Sequence, residues 1–234
     1  MKKHRNRYLI VFQVCSVVLL MMCAALSASA QTLAPDAKGP QQQRRDEVIP
    51  TPPVPAKIRV LDGFVPFFKG HGVGTQNYIC KPTGPTTLGF VLFTPQATLF
   101  TDRGKQLTTH FFSPNPDEAN VDPTVIGDRQ IRVTWEHSID TSTIWAKLEV
   151  AATNESDPDF VAKDAVAWLL LDVVGFRPGP TGGDTLKPAE HGFVQRINTV
   201  GGLAPSTGCS SASDVGHQAF VPYEADYFFF TQAN

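Results

Sequence analysis

The residues with the richest chemistry lie late in the chain, in Gln195-Arg196-Ile197-Asn198-Thr199, with His110 far upstream. On an extended strand Arg196 and Asn198 share one face, while Gln195, Ile197 and Thr199 share the other. An arginine beside an asparagine offers several N–H donors to a carboxylate or a sugar hydroxyl. His110, Arg196 and Asn198 are therefore the candidate ligand-binding residues. The same set also suits a buried hydrogen-bond network that pins the following loop, Gly201-Gly202 to Cys209. Polar groups inside a sheet must be satisfied whether or not a ligand exists.

Other motifs exclude more than they assign. Gly70-His71-Gly72-Val73-Gly74 looks like a phosphate-cradling loop, but that loop must follow a strand and open a helix. Here Thr75-Gln76-Asn77-Tyr78-Ile79-Cys80 favours a strand instead, so the glycines read as a turn or bulge, and an NAD-dependent dehydrogenase is excluded. There is no G-x-S-x-G elbow for a nucleophilic serine. His71, His110, His137, His191 and His217 show no spacing that sets two ligands on one helical face. No metal and no cofactor are expected, and no catalytic residue is assigned; a carboxylate pair cannot be picked from 22 acids without geometry.

The elements that must position these residues follow a segment built for export. Lys2, Lys3, Arg5 and Arg7 precede an apolar run to Leu26, and Ser27-Ala28-Ser29-Ala30 supplies the small residues a signal peptidase needs. Residues 1–30 thus read as a signal peptide cleaved after Ala30, which places the chain in the periplasm or outside the cell. The A-x-A ending argues against the alternative of an uncleaved anchor, so no stable membrane insertion is expected after cleavage. Cleavage removes four of the 20 Lys and Arg and none of the 22 Asp and Glu, moving the formal net charge from −2 to −6. An acidic domain lacks the cationic stripe that draws nucleic acid or an anionic membrane surface. Residues 31–56 are rich in Pro and Gln with little to bury, and read as a disordered linker.

Residues 57–234 form one β-rich domain in this reading. Short apolar or alternating runs at 58–61, 75–80, 88–94, 97–101, 106–112, 130–137, 144–151, 165–174, 193–199 and 223–231 are separated by Gly, Pro, Asn and Asp. The fold class is all-β, an antiparallel sandwich or barrel with minor helix, the best helical stretch being 157–164. The runs 131–135 and 144–150 alternate and should pair. Trp168-Leu169-Leu170-Leu171 is continuous, which fits either a strand covered on both faces or a buried helical turn. Cys15 and Cys23 leave with the signal, so Cys80 and Cys209 remain as an expected disulfide in an oxidising compartment. Phe67-Phe68, Phe111-Phe112 and Tyr227-Phe228-Phe229-Phe230 each put a ring on both strand faces, offering either core or an exposed platform for carbohydrate or a partner. Asn154-Glu155-Ser156 is a glycosylation sequon that matters only in a eukaryotic host.

Three segments carry a family resemblance: Gly74-Thr75-Gln76-Asn77-Tyr78-Ile79-Cys80; the stretch from Leu99 to His110 with its Gly104; and the tail. The tail runs from Gln195-Arg196-Ile197-Asn198-Thr199 through Gly201-Gly202, Ala204-Pro205 and Cys209 to Val221-Pro222-Tyr223-Glu224-Ala225-Asp226-Tyr227. Together they resemble a secreted family of bacteria and fungi known as a domain of unknown function (DUF3455), over roughly residues 58–230. The resemblance implies an exported β-rich domain with paired cysteines and no particular activity. Some members carry a malate-dehydrogenase-like label, whose dinucleotide fingerprint and βαβ setting are missing here. Where the family follows its His with Gly-Pro-x-Trp, His110 is followed by Phe111-Phe112-Ser113-Pro114, so no role for that loop is carried over.

The leading expectation is a non-enzymatic module that binds a ligand, with carbohydrate or an envelope component as the partner class. The alternatives are an extracellular enzyme, hydrolytic in type, with its site near His110 and Arg196/Asn198, and a structural or stress-related envelope protein. A concave pocket gathering the three candidates would favour chemistry, and a flat aromatic strip would favour binding.

Overall fold

The computed structural model describes residues 49–233. The expected signal peptide, its cleavage site after Ala30, Cys15 and Cys23, and the linker as far as residue 48 lie outside the described residues. Eight strands follow one another: β1 (Phe64–Pro82), β2 (Leu88–Phe100), β3 (Gln106–Ala119), β4 (Arg129–His137), β5 (Thr143–Ala152), β6 (Trp168–Arg177), β7 (Phe193–Gly201) and β8 (Gln218–Gln232). Each pairs antiparallel with the next, and β8 returns to β1, closing a barrel. Of the two all-β architectures expected, the barrel is the one formed. Closure removes both sheet edges and encloses an interior that eight strands leave just wide enough to fill with side chains or hold one small ligand.

The glycines of β1 permit that closure. Gly70, Gly72 and Gly74 lie in mid-strand, not in the turn or bulge expected from sequence. Their period of two puts all three on one face, which is the inner one. A Cβ on Gly72 would sit 2.8 Å from the Tyr227 ring, and one on Gly74 would lie 2.1 Å from the Gln96 carbonyl oxygen. The neighbouring strand and the core rings therefore come up against bare backbone.

Both faces of β6 and β8 are covered, which explains their unbroken apolar runs, Trp168–Leu171 and Tyr227–Phe230. Leu169, Leu171, Tyr227 and Phe229 belong to the interior, whereas Trp168, Leu170, Phe228 and Phe230 lie beneath a strap running across the outside of the wall. Ile49, Val54 and Ile58 of this strap pack on that outer cluster, and Gln195 Nε2 donates to the Ile58 carbonyl at 2.8 Å. Packing thus begins within the stretch expected to be linker. Residues 58–61, expected as a strand, contain instead the end of a single-turn 3-10 helix, Ala56–Ile58. Trp168–Leu171 is strand, the first of the two readings left open. Residues 157–164, expected to be helical, are turns, and the helix among the described residues is three 3-10 turns of three residues each. The two runs expected at 88–94 and 97–101 join into β2 through Pro95, which pairs with Gln76 of β1 and lies beyond the last β2–β3 pair, Ala97↔His110.

One end of the barrel is solid. Leu186 and Ala189, from the β6–β7 connection, plug it against Leu99, Ile144, Val173 and Phe229. Asp140 holds this connection to the β4–β5 turn by accepting from Thr185 N and Ser142 N, both at 2.9 Å, and by pairing with His137 Nδ1. Burial alone would raise the Asp140 carboxyl pKa, but the hydrogen bonds from Thr185 and Ser142 prevail and hold it below the usual carboxylate range. At the other end Cys80, last inward residue of β1, is bonded to Cys209 with a Cα–Cα distance of 5.4 Å. It ties the long β7–β8 connection to the rim.

Two outcomes test this account. Gly74→Ala should cost about 1–3 kcal/mol by urea denaturation, as overpacking does, whereas Val73→Ala on the outer face should stay within about 0.5 kcal/mol. Mass spectrometry of non-reduced protein should find no alkylatable thiol at Cys80 or Cys209. Reduction should remove roughly 4–5 kcal/mol, the loop-closure value for a separation of 129 residues.

Candidate functional site

The half of the barrel opposite the plug is hollow. A cavity of about 640 Å³ lies there, within the range that accommodates a drug-sized ligand. The strands line it by alternation: Gln76 and Tyr78 from β1, Leu92 and Pro95 from β2, His110 and Phe112 from β3. Val133 and Trp135 of β4, Leu169 and Leu171 of β6, Arg196 of β7 and Tyr227 of β8 complete the wall. Exposed Glu155, Lys163 and Leu203, from the β5–β6 and β7–β8 connections, stand at the mouth. The wall is interrupted beside it, because β4 and β5 pair only over Val133–Glu136 with Thr143–Ala146.

Arg196 points inward as its neighbours dictate, with Val194 in the core and Gln195 and Ile197 on the outside. Its Nε and Nη2 donate to the Ala167 carbonyl at 3.2 and 2.8 Å. Together with Thr199 Oγ1, which donates to Val166 O at 2.6 Å, it fixes the segment leading into β6 as one side of the mouth. Two of the five guanidinium N–H groups are thereby used. Among the described residues no carboxylate lies within ion-pair distance of Arg196. The guanidinium also lies near Tyr78 and Tyr227. Burial raises both phenol pKa values, and the positive charge of Arg196 opposes it.

His110 is 3% exposed and stacks on Trp135 with ring centroids 4.5 Å apart. Its Nδ1 lies 3.0 Å from the Thr134 carbonyl, which can only accept, so Nδ1 carries the proton and Nε2 is a bare acceptor. Burial pushes the pKa down to about 3; the Thr134 bond works against this and Arg196 adds to it. His110 is therefore neutral at any physiological pH, and a poor base. Gln76 Nε2 and Trp135 Nε1 are buried without a hydrogen-bond partner. The Gln76 amide is near enough to Tyr223 to favour its phenolate, yet closes no bond. Tyr223 and Tyr227 share a hydroxyl contact at 3.1 Å, and Tyr78 Oη donates to Gly202 O at 2.6 Å.

Asn198 is not part of this site. The β7–β8 register shifts between Ile197 and Val200, and Asn198 takes a φ of +52°, so the alternation that would have placed it beside Arg196 breaks there. Its side chain lies outside and donates to Asp226 Oδ2 at 2.9 Å, in a surface cluster with His71. Of the rings that could have been core or an exposed platform, Phe67, Phe68 and those of 227–230 go into the two clusters, Phe112 lines the cavity, and Phe111 lies in an outer depression with the exposed Phe220. Gln76, Tyr78, Trp135 and Tyr227 were missed by sequence reasoning. The signal for the first two was present, as polar residues two apart on a strand that had to face inward.

The geometry defines a class: a closed, eight-stranded up-and-down barrel, plugged at one end and hollow at the other, with a half-buried cation in the hollow. The chain belongs to the family described as protein of unknown function (DUF3455), whose model matches residues 63–231. No curated protein and no solved structure matches it.

The state of His110 sets a pH dependence. Its folded pKa is lowered beneath the unfolded value of about 6.5, so the unfolded chain binds the extra proton and stability falls as pH drops through that value towards 3. Urea denaturation should show a loss of about 2–3 kcal/mol between pH 6.5 and 4.5, at up to about 1.4 kcal/mol per unit. His110→Gln should remove most of that slope; an unchanged slope would mean that the imidazole takes up its proton alike in the folded and unfolded chain.

Proposed function

We propose that this protein is a binding barrel, working outside the cytoplasm, that takes one small and largely apolar molecule into its hollow end without transforming it. One observation carries the reading: a preformed cavity walled by Leu92, Phe112, Val133, Trp135, Leu169 and Leu171, with a few polar groups converging on it. The apolar wall makes the ligand class an apolar molecule instead of the carbohydrate expected from the aromatic residues. A hydrolytic site has less support, because His110 is held neutral at a pKa of about 3 and Asn198 faces away. The strand exteriors carry Glu136, Lys147, Glu149 and Asp172, charges that a lipid-facing barrel wall disfavours. No described helix is long and apolar enough to cross a membrane.

The test uses N-phenyl-1-naphthylamine, a neutral apolar dye that brightens on leaving water, with the disulfide-bonded protein. Saturable binding at one site is expected, with tyrosine-to-dye and tryptophan-to-dye energy transfer. Val133→Trp, which fills the hollow, should weaken it at least about tenfold, or 1.4 kcal/mol. Phe220→Ser, on the exposed outer surface, should leave it unchanged. Loss through Phe220→Ser and not through Val133→Trp would put the dye on the outer wall and overturn the proposal.

A further inference from the structure

Resting on that reading, we infer that the ligand bears a carboxylate and that Arg196 is the residue that reads it. The polar equipment of the cavity is one-sided. Arg196 gives two of its five N–H donors to Ala167 O and stands close enough to the Tyr227 hydroxyl to favour its phenolate, which leaves donors over, and no described carboxylate is within ion-pair distance. Gln76 Nε2 and Trp135 Nε1 are buried donors without partners. Both residues line the same cavity as Arg196, and buried donors left unsatisfied there are suited to an acceptor that arrives from outside. The His110 Nε2 lone pair is a bare acceptor, and its imidazole is neutral and contributes no competing charge.

A guanidinium fork matches a carboxylate bidentately, and such charge-assisted bonds are about twice as strong as neutral ones, more so behind an apolar wall. The apolar body of the ligand then occupies the space bounded by Leu92, Phe112, Val133 and Leu169. At the mouth Lys163 favours an entering anion and Glu155 opposes it, so selection falls to the interior. An amine would meet Arg196 with like charge, and an alcohol would satisfy fewer of the donors. The chemistry is that of a medium-chain or aromatic acid.

Competition against N-phenyl-1-naphthylamine with dodecanoic acid, dodecanol and dodecylamine, three molecules with one tail and three heads, tests this at neutral pH. The acid should compete at least about tenfold better than the alcohol in the wild-type protein, a gap of 1.4 kcal/mol, with the amine weakest. Arg196→Gln should bring the acid down to the alcohol, so that the acid-to-alcohol ratio falls from at least about ten to about one. Arg196→Lys, which keeps the charge and loses the fork, should fall between. The wild-type comparison needs no variant, so a misfolded Arg196→Gln leaves the inference open to refutation. Acid and alcohol competing equally would overturn the head-group assignment while the cavity stands; none of the three displacing a bound dye would overturn it equally. If the dye itself does not bind in the hollow, the proposed function fails first and this inference with it.

Discussion

The ladder between β1 and β8, from Phe64↔Gln232 to Ile79↔Gln218, is the interaction on which everything else depends. It joins the first strand to the last and turns an open eight-stranded meander into a tube with no free edge. Such a contact spans most of the sequence, so its entropy of closure falls due before its hydrogen bonds can form. The molecule concentrates stabilising features along this seam. The inward glycines of β1 let Tyr227 and Leu99 press against its backbone, and the disulfide fastens the β7–β8 connection to the end of the same strand. The strap covering β6 to β8 seals the outside of the neighbouring wall.

Closure also determines where space is left over. The plug from the β6–β7 connection and the large rings of Trp135, Tyr227 and Phe229 fill one half of the tube. In the other half β4 and β5 diverge and the inward residues are mixed in size and polarity, so the interior is neither filled nor sealed. Arg196 sits at that boundary. Burying an unpaired guanidinium in a fully packed core would be costly, and the hollow with its access to solvent is what makes the position tolerable. Its bond to Ala167 O joins the cation to the rim, so one residue both shapes the mouth and charges the interior.

His110 and Arg196 occupy one cavity in different roles. The imidazole is a flat, neutral wall element, stacked on Trp135 and oriented by Thr134, and the positive charge nearby helps to keep it unprotonated. The guanidinium carries a positive charge and a planar fork of N–H donors. The site therefore presents a fixed positive charge in apolar surroundings, an arrangement suited to recognition more than to proton transfer.

Much of the fold was legible in the residues. Alternation at 131–135 and 144–150, breaks at Gly, Pro and Asn, and the two cysteines of the β-rich domain pointed to strand positions, the all-β class and the pairing of Cys80 with Cys209, because period-two patterning and thiol count can be read directly from the residues. The same patterning aimed Arg196 inward. It failed at Asn198, where a bulge visible only in the β7–β8 register turned the side chain out to Asp226. It failed also at Gly70, Gly72 and Gly74, since a glycine needed for close approach of another strand looks no different in sequence from one needed for a turn. Whether the sheet closed, which end was plugged, and that Gln76, Trp135 and Tyr227 would meet His110 and Arg196 were decided by tertiary structure alone. Those contacts join strands far apart in the chain, and no local pattern encodes which inward residues will face one another across a barrel.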